Sequence, residues 1–206
     1  VKDIDNGMQL LVAAYQRRIE DKDAKECIRQ SGIEPIFEEQ TPEVPPLQEI
    51  TEDVLNCCAD MLVFARHCPY MNLAGLAANQ LGISGKRISL NVCFINRGWR
   101  AGWLAALNPG IVSETGVSKN SSEGCLTWPK KKILAIRRES VVVSYLGLEG
   151  TPREESVEGF EAVVWQHEIN HLKGIPEHVM DPDKKQKPNA PCLCGSGRKF
   201  KRCCGK

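Results

Sequence analysis

Apolar positions along this chain change their period from one stretch to the next, and each change predicts an element. Between residues 6 and 30, Leu10, Leu11, Ala14 and Ile28 stand among charged residues, which predicts an amphipathic helix. The stretch SGIEPIFEEQTPEVPP ends it, because Gly32 and four prolines cannot continue a helix. Residues 51–67 predict a stronger one. Thr51 can cap it, Glu52 and Asp53 suit its first turn, and Val54, Leu55, Cys58, Met61, Leu62 and Ala65 trace one stripe. RISLNVCFIN switches to a period of two at Ile88, Leu90, Val92 and Phe94, the signal of a strand. LAALNPGIV and SVVVSYL read as further strands. A last helix is expected over about 156–172, with Val157, Phe160, Val163 and Val164 leading into two histidines. DPDKKQKPNAP (181–191) is polar and carries prolines, as a linker does. Strands followed by one buried helix, without regular alternation, indicate an α+β fold.

Composition narrows the class. The 206 residues are 42% hydrophobic and 26% charged, enough for one ordinary domain with a real core plus a small appendage. No apolar run approaches the roughly 20 residues of a membrane span, and the opening residues do not resemble a secretory signal. Ten cysteines without an export signal point to a reducing, cytoplasmic setting with buried or metal-bound thiols. For Cys27, Cys57, Cys58, Cys68 and Cys93 burial is the expectation. The net charge of +1 hides a division: from Lys184 onward there are eight basic residues and no acids, against 19 basic and 26 acidic before it. An acidic body with a basic tail suggests two units with different partners.

The chemistry concentrates in WQHEINHLKG (165–174). On a helix, His167 and His171 share one face a turn apart, a grip for a divalent metal, and Glu168 lies beside it as a proton acceptor. A catalytic metal needs a third protein ligand. The extended zinc-protease pattern nearly supplies one downstream, since Gly174 is in place. Its last position, however, is Glu177, with His178 one residue late, and no acid follows Asp183. Upstream, SSEGCLTWP sets Cys125 in a turn-like stretch ahead of a strand, where a thiolate can face the helix.

GLAANQ (75–80), EGCLT (123–127) and QHEINHLKG (166–174), in that order, resemble the peptide deformylase family from about Ile33 to His178. The resemblance implies antiparallel sheets around a central metal-binding helix, with a catalytic metal held by Cys125, His167 and His171. That metal is usually ferrous iron, and zinc, nickel or cobalt also suit the donors. It also implies removal of the formyl group from N-terminal formylmethionine of nascent chains, releasing formate. Glu168 would carry the proton to the leaving amine, while the Gln80 amide and the Leu126 backbone N–H receive the developing charge on oxygen. Gly75 falls where the family's backbone meets substrate. Glu123 and Gln166 fall where they steady the ligand-bearing loop and helix, and Phe160, Val163 and Val164 can line the methionine pocket or fill core. Leu73 and Asn170 depart from the family's glycine and aspartate. The remaining readings are a His-Glu-x-x-His metalloprotease, or an inactive deformylase-like adaptor.

The ending, PCLCGSGRKFKRCCGK, places Cys192, Cys194, Cys203 and Cys204 as Cys-x-Cys-x8-Cys-Cys around a Gly-Ser-Gly turn. It resembles the SEC-C type zinc tail of the SecA translocase ATPase. Four thiolates would close a structural zinc site. Such tails bind ribosomes and the SecB chaperone, so either partner is implied by analogy, and the basic residues favour an anionic one. The organisation expected is a helical extension (1–32), a catalytic body (33–180), a linker (181–190) and the zinc-binding tail (191–206).

Overall fold

In a computed structural model of the chain, residues 9–11, 13–14, 16–17, 24–176, 179–180, 187–192 and 197–203 are described. The helices are α1 (Ala24–Ser31), α2 (Glu52–Arg66), the single turn α3 (Gly98–Ala101) and α4 (Gly159–Leu172), with helical residues also at 9–11, 13–14 and 16–17. The strands are β1 (Ile33–Pro35), β2 (Gly75–Ala77), β3 (Leu81–Ile83), β4 (Lys86–Arg87), β5 (Val92–Asn96), β6 (Trp103–Glu123), β7 (Lys132–Leu146), β8 (Pro152–Glu158) and β9 (Val179–Met180). β1-β3-β4 form a small sheet, and β2-β5-β6-β7-β8 a larger one with β9 on the edge of β7. Every pairing is antiparallel, so the α+β architecture is the one observed.

The stripe at 51–67 folds as its pattern predicts. The Val54 N–H donates to Thr51 Oγ1 at 3.3 Å, and such a cap is worth about 1 kcal/mol. Cys58, Met61, Phe64 and Ala65 of α2 are buried against one face of the larger sheet, where they meet Leu76, Val92, Phe94 and Leu107. The other face of the same strands, with Ala77, Cys93, Ile95 and Ala106, packs on Ala162, Val164, Trp165 and Ile169 of α4. Successive residues of a strand point to opposite faces, so a patch covered by a helix on each side must be apolar throughout. That is why Val92, Cys93, Phe94 and Ile95 are all fully buried rather than alternating. Leu11 and Ala14 join the core under α2.

Three boundaries differ from the sequence expectation. The strand over 87–96 divides into β4 and β5. The strands seen in LAALNPGIV and SVVVSYL belong to a much longer β6–β7 hairpin with register shifts. The last helix begins at Gly159 rather than near 156. Pro152–Glu158 is strand β8, which takes Val157 with it. β8 is an edge strand of mostly charged residues, which is how edges are kept from pairing further, but it leaves no alternating apolar signal.

Candidate active site

α4 carries the two histidines on its buried side, both almost fully enclosed, with ring centroids 4.7 Å apart and nearly perpendicular. Their carrier is pinned at two points. Gln166 reaches across to β7, accepting from the Arg138 N–H (2.9 Å) and donating to its carbonyl (3.0 Å). It thereby occupies backbone groups of β7 between the stretches paired by β9 and by β8. At the other end, Asn79 Nδ2 donates to the His171 carbonyl at 2.6 Å and the Val44 N–H to that of Leu172 at 2.8 Å, satisfying carbonyls a helix end leaves open.

The turn after β6 brings Cys125 to the histidines. Its Sγ lies 3.3 Å from His171 Nε2, which is 3.1 Å from His167 Nε2. Among the described residues these three form the one cluster of metal-donor atoms. A tetrahedral ion with nitrogen bonds of roughly 2.0–2.1 Å and a sulfur bond near 2.3 Å requires donors about 3.3–3.6 Å apart. The observed separations are within a few tenths of an ångström of that, so the residues fit a divalent metal. Two imidazoles and a thiol suit zinc, iron, cobalt or nickel.

The far nitrogens of the rings are also engaged. His167 Nδ1 faces Glu123 Oε2 at 2.6 Å, and Arg137 grips that carboxylate with Nε and Nη2, both at 2.8 Å. Burial opposes the Glu123 charge, but the hydrogen bonds from Arg137 and His167 outweigh it and hold the carboxyl at about 2. Burial likewise opposes a charge on His167, yet hydrogen bonding to Cys125 and Glu123 raises its proton affinity well above the ordinary. Burial and the neighbouring His167 push His171 well below it.

Around these donors stand the remaining expected residues. Gln80 Oε1 accepts from the Ala77 N–H at 2.9 Å, which fixes the amide so that Nε2 points inward, 3.1 Å from His171 Nε2 and 3.5 Å from Cys125 Sγ. Glu168 is buried beside Gly75. A Cβ on Gly75 would come within 2.5 Å of Glu168 Oε1 and 2.8 Å of Val164, so only glycine leaves room for the carboxylate. A cavity of about 360 Å³ opens onto Gln80, Cys125, Leu126, His167 and Glu168, a volume within the usual range for small-ligand sites. Phe160, Val163 and Val164 line it from α4, with Phe160 mostly exposed.

Arg137 and Thr41 were not read from the sequence, and Asn170 was read only as a departure from the family. Arg137 lies in an unremarkable basic pair and is 4% exposed. Asn170, with its amide oxygen turned toward Arg137, accepts from Nη1 at 2.7 Å, a contact that does not need aspartate's charge. Thr41 sits in the proline-rich stretch read only as a helix breaker, yet its Oγ1 is 3.3 Å from His171 Nδ1. In the tail, Pro191 bridges Lys199, and Cys192 and Cys203 are buried with Leu134 of β7. Cys194, Cys204, Glu177 and His178 lie outside the described residues.

Comparison with known proteins follows the same division. A model of the polypeptide deformylase family matches residues 30–186, most of the chain. The chain belongs to the polypeptide deformylase family. A SEC-C motif matches residues 189–206. The peptide deformylase of Aquifex aeolicus is 39% identical over 105 residues, 49% of this chain and 59% of that protein. That of Pelotomaculum thermopropionicum is 34% identical over 140 residues, 68% and 81% of the two chains. The chain thus spans less than two thirds of the Aquifex relative, and 57% of a Thermotoga neapolitana deformylase. The crystal structure of peptide deformylase from Thermotoga maritima superposes with a TM-score of 0.59 at 28% identity, covering 68% of this chain and 90% of that one. Leu73, where the deformylase pattern has glycine, is buried in the core beneath α2 and also borders the cavity.

Proposed function

We propose that this deformylase-family chain removes the formyl group from N-terminal formylmethionine of nascent polypeptides, releasing formate. The observation that carries the reading is the meeting of Cys125, His167 and His171 with Glu168 and an oriented Gln80 on one cavity. Cys125, His167 and His171 would hold a divalent ion, ferrous iron by family. When bound, it supplies Lewis acidity that makes water ionise near neutral pH and polarises a carbonyl.

The rest falls to the chain itself. Glu168 takes a proton from the attacking water as its oxygen adds to the formyl carbon. Gln80 Nε2 and the Leu126 backbone N–H donate to the formyl oxygen as it gains charge, and the Ala77 N–H holds the Gln80 amide in place beforehand, which lowers the reorganisation needed. The carbon–nitrogen bond then breaks, Glu168 returns its proton to the amine, and formate leaves. Phe160, Val163 and Val164 receive the methionine side chain. Glu123 and Gln166 hold the ligand-bearing elements in place.

The division into a body (33–180), a linker (181–190) and a zinc-binding tail (191–206) belongs to the same proposal, with residues 1–32 as an extension. Cys192, Cys194, Cys203 and Cys204 would bind the tail's zinc. Arg198, Lys199, Lys201 and Arg202 are exposed, which favours an anionic surface such as ribosomal RNA over the SecB-like alternative. The setting is the cytoplasm, where nascent chains are made; among the described residues no helix is long and apolar enough to cross a membrane. Formate release from a formyl-Met peptide, with metal content measured on the same sample, tests the proposal. A metal-loaded body that releases none would overturn it.

A further inference from the structure

The two histidines are held by unlike partners. His167 Nδ1 faces a carboxylate, which can only accept, so its proton is fixed on Nδ1. On the other side of His171, the Gln80 amide N–H already faces Nε2 at 3.1 Å; at Nδ1 the partner is Thr41 Oγ1, which by itself both donates and accepts. The surroundings decide between these roles. Thr41 Oγ1 also lies 2.9 Å from the His171 backbone carbonyl. A carbonyl can only accept, so the one hydroxyl proton of Thr41 is committed to it. What remains toward the ring is a lone pair of Oγ1. Nδ1 must then carry the proton, and Nε2 turns a bare lone pair toward Cys125 and His167.

We propose that Thr41 is a positioning residue that fixes the tautomer and ring angle of His171, so that Nε2 is the donor to the metal. The inference rests on the reading of Cys125, His167 and His171 as a metal centre. Thr41 can do this because its segment is not a free loop. The Val44 N–H donates to the Leu172 carbonyl at 2.8 Å, and Asn79 Nδ2 bonds both the Pro42 carbonyl (2.9 Å) and the His171 carbonyl (2.6 Å). Gly174 permits this closeness: its φ is +62°, and a Cβ there would meet the Glu43 nitrogen at 2.6 Å. Thr41 itself is 4% exposed. Water therefore does not readily replace its hydroxyl.

Thr41→Val keeps the shape and removes the hydroxyl, and Asn79 still holds the His171 carbonyl. Zinc alone is the probe, on the full chain, followed through the imidazole nitrogen signals of His167 and His171 so that tail cysteines do not contribute. In wild type, His171 should show a protonated Nδ1 that exchanges slowly with water. In Thr41→Val that proton should exchange much faster, and zinc should leave the site about 10–100-fold more readily to a chelator, as when partners of metal-ligating histidines are lost. Thr41→Ser should restore both. Unchanged zinc release and exchange in the valine variant would overturn the proposal. So would a wild-type His171 protonated on Nε2, a measurement that stands even if the valine variant fails to fold. Formate release by wild type tests the functional reading separately, because zinc retention at His171 does not depend on it.

Discussion

The two cysteine-bearing regions of this chain are built on opposite plans. In the body, Cys125 and the histidines are placed by a sheet, a helix and a buried ion pair, and most of the hydrogen bonds that aim them involve neither thiol nor metal. In the tail, the contacts of the described residues include one bridge, several backbone hydrogen bonds, an Arg198 bond to Cys203 Sγ at 3.5 Å and a small cluster around Leu134. The first region is aimed by hydrogen bonds between protein groups. The second is short, and zinc bound by its four cysteines would supply folding energy to it. The difference teaches where each site is vulnerable: the body through its scaffold, the tail through its ligands.

The largest expected effect separates chemistry from binding. Glu168→Gln keeps the size of the side chain but cannot accept a proton, so formate release should fall by roughly 10²–10⁴-fold while the body metal stays bound. Kinetics with metal analysis check this, and near-wild-type turnover would remove Glu168 from its assigned role. Next comes the scaffold. Arg137→Ala leaves the Glu123 carboxylate buried without its two guanidinium bonds, a loss of about 3–5 kcal/mol. Denaturant titration should place this variant far below wild type. A small change would mean that the body is not preshaped in the way its hydrogen bonds indicate.

The third test sets the two metals against each other. Cys125→Ser should lower the metal content of the full chain by the body ion alone, and Cys192→Ser by the tail ion alone, because the sites share no ligand. With a strong chelator and brief proteolysis, cuts should then fall within 187–206 while 24–176 persists. The smallest effect is expected on catalysis. Deleting residues 188–206 should change turnover of a short formyl-Met peptide by less than about twofold, because no described tail residue lines the cavity, although Leu134 loses a cover worth about 1–2 kcal/mol. Ribosome cosedimentation should weaken in the same variant, and in the intact chain it should fall steeply with salt. Equal binding with and without the tail would favour a protein partner.

How far the sequence could be read followed from where the physics is local. The α2 stripe with its Thr51 cap, and the i,i+4 histidines, depend on neighbours in the chain and were legible. Cys125 stood out in a turn-like stretch, but only the resemblance to a family singled it out as the third ligand, since the histidines are 42 and 46 residues away. The end of β8, from about residue 156, reads as the start of α4 because a charged edge strand has no apolar rhythm, and Val157 lends a false helical continuity. The first half of β7 was missed for a similar reason: Lys132, Arg137, Arg138 and Glu139 interrupt it, and Arg137 is buried for the sake of Glu123. Thr41 carried no signal at all, because a hydroxyl between proline-rich turns gains its meaning only when the end of α4 arrives beside it.

The double covering of β5 has a consequence for how the molecule breathes. Cys93–Ile95 lie between β2 and β6 and under a helix on each face, so their amide hydrogens should exchange with deuterium only when the whole body unfolds. The Thr41–Val44 segment is held by fewer bonds, and its opening costs only part of that free energy. Deuterium uptake should therefore appear there hours before it reaches β5. In that ordering, an ion bound by Cys125, His167 and His171 would be released through a partial opening at the end of α4, from a chain still folded.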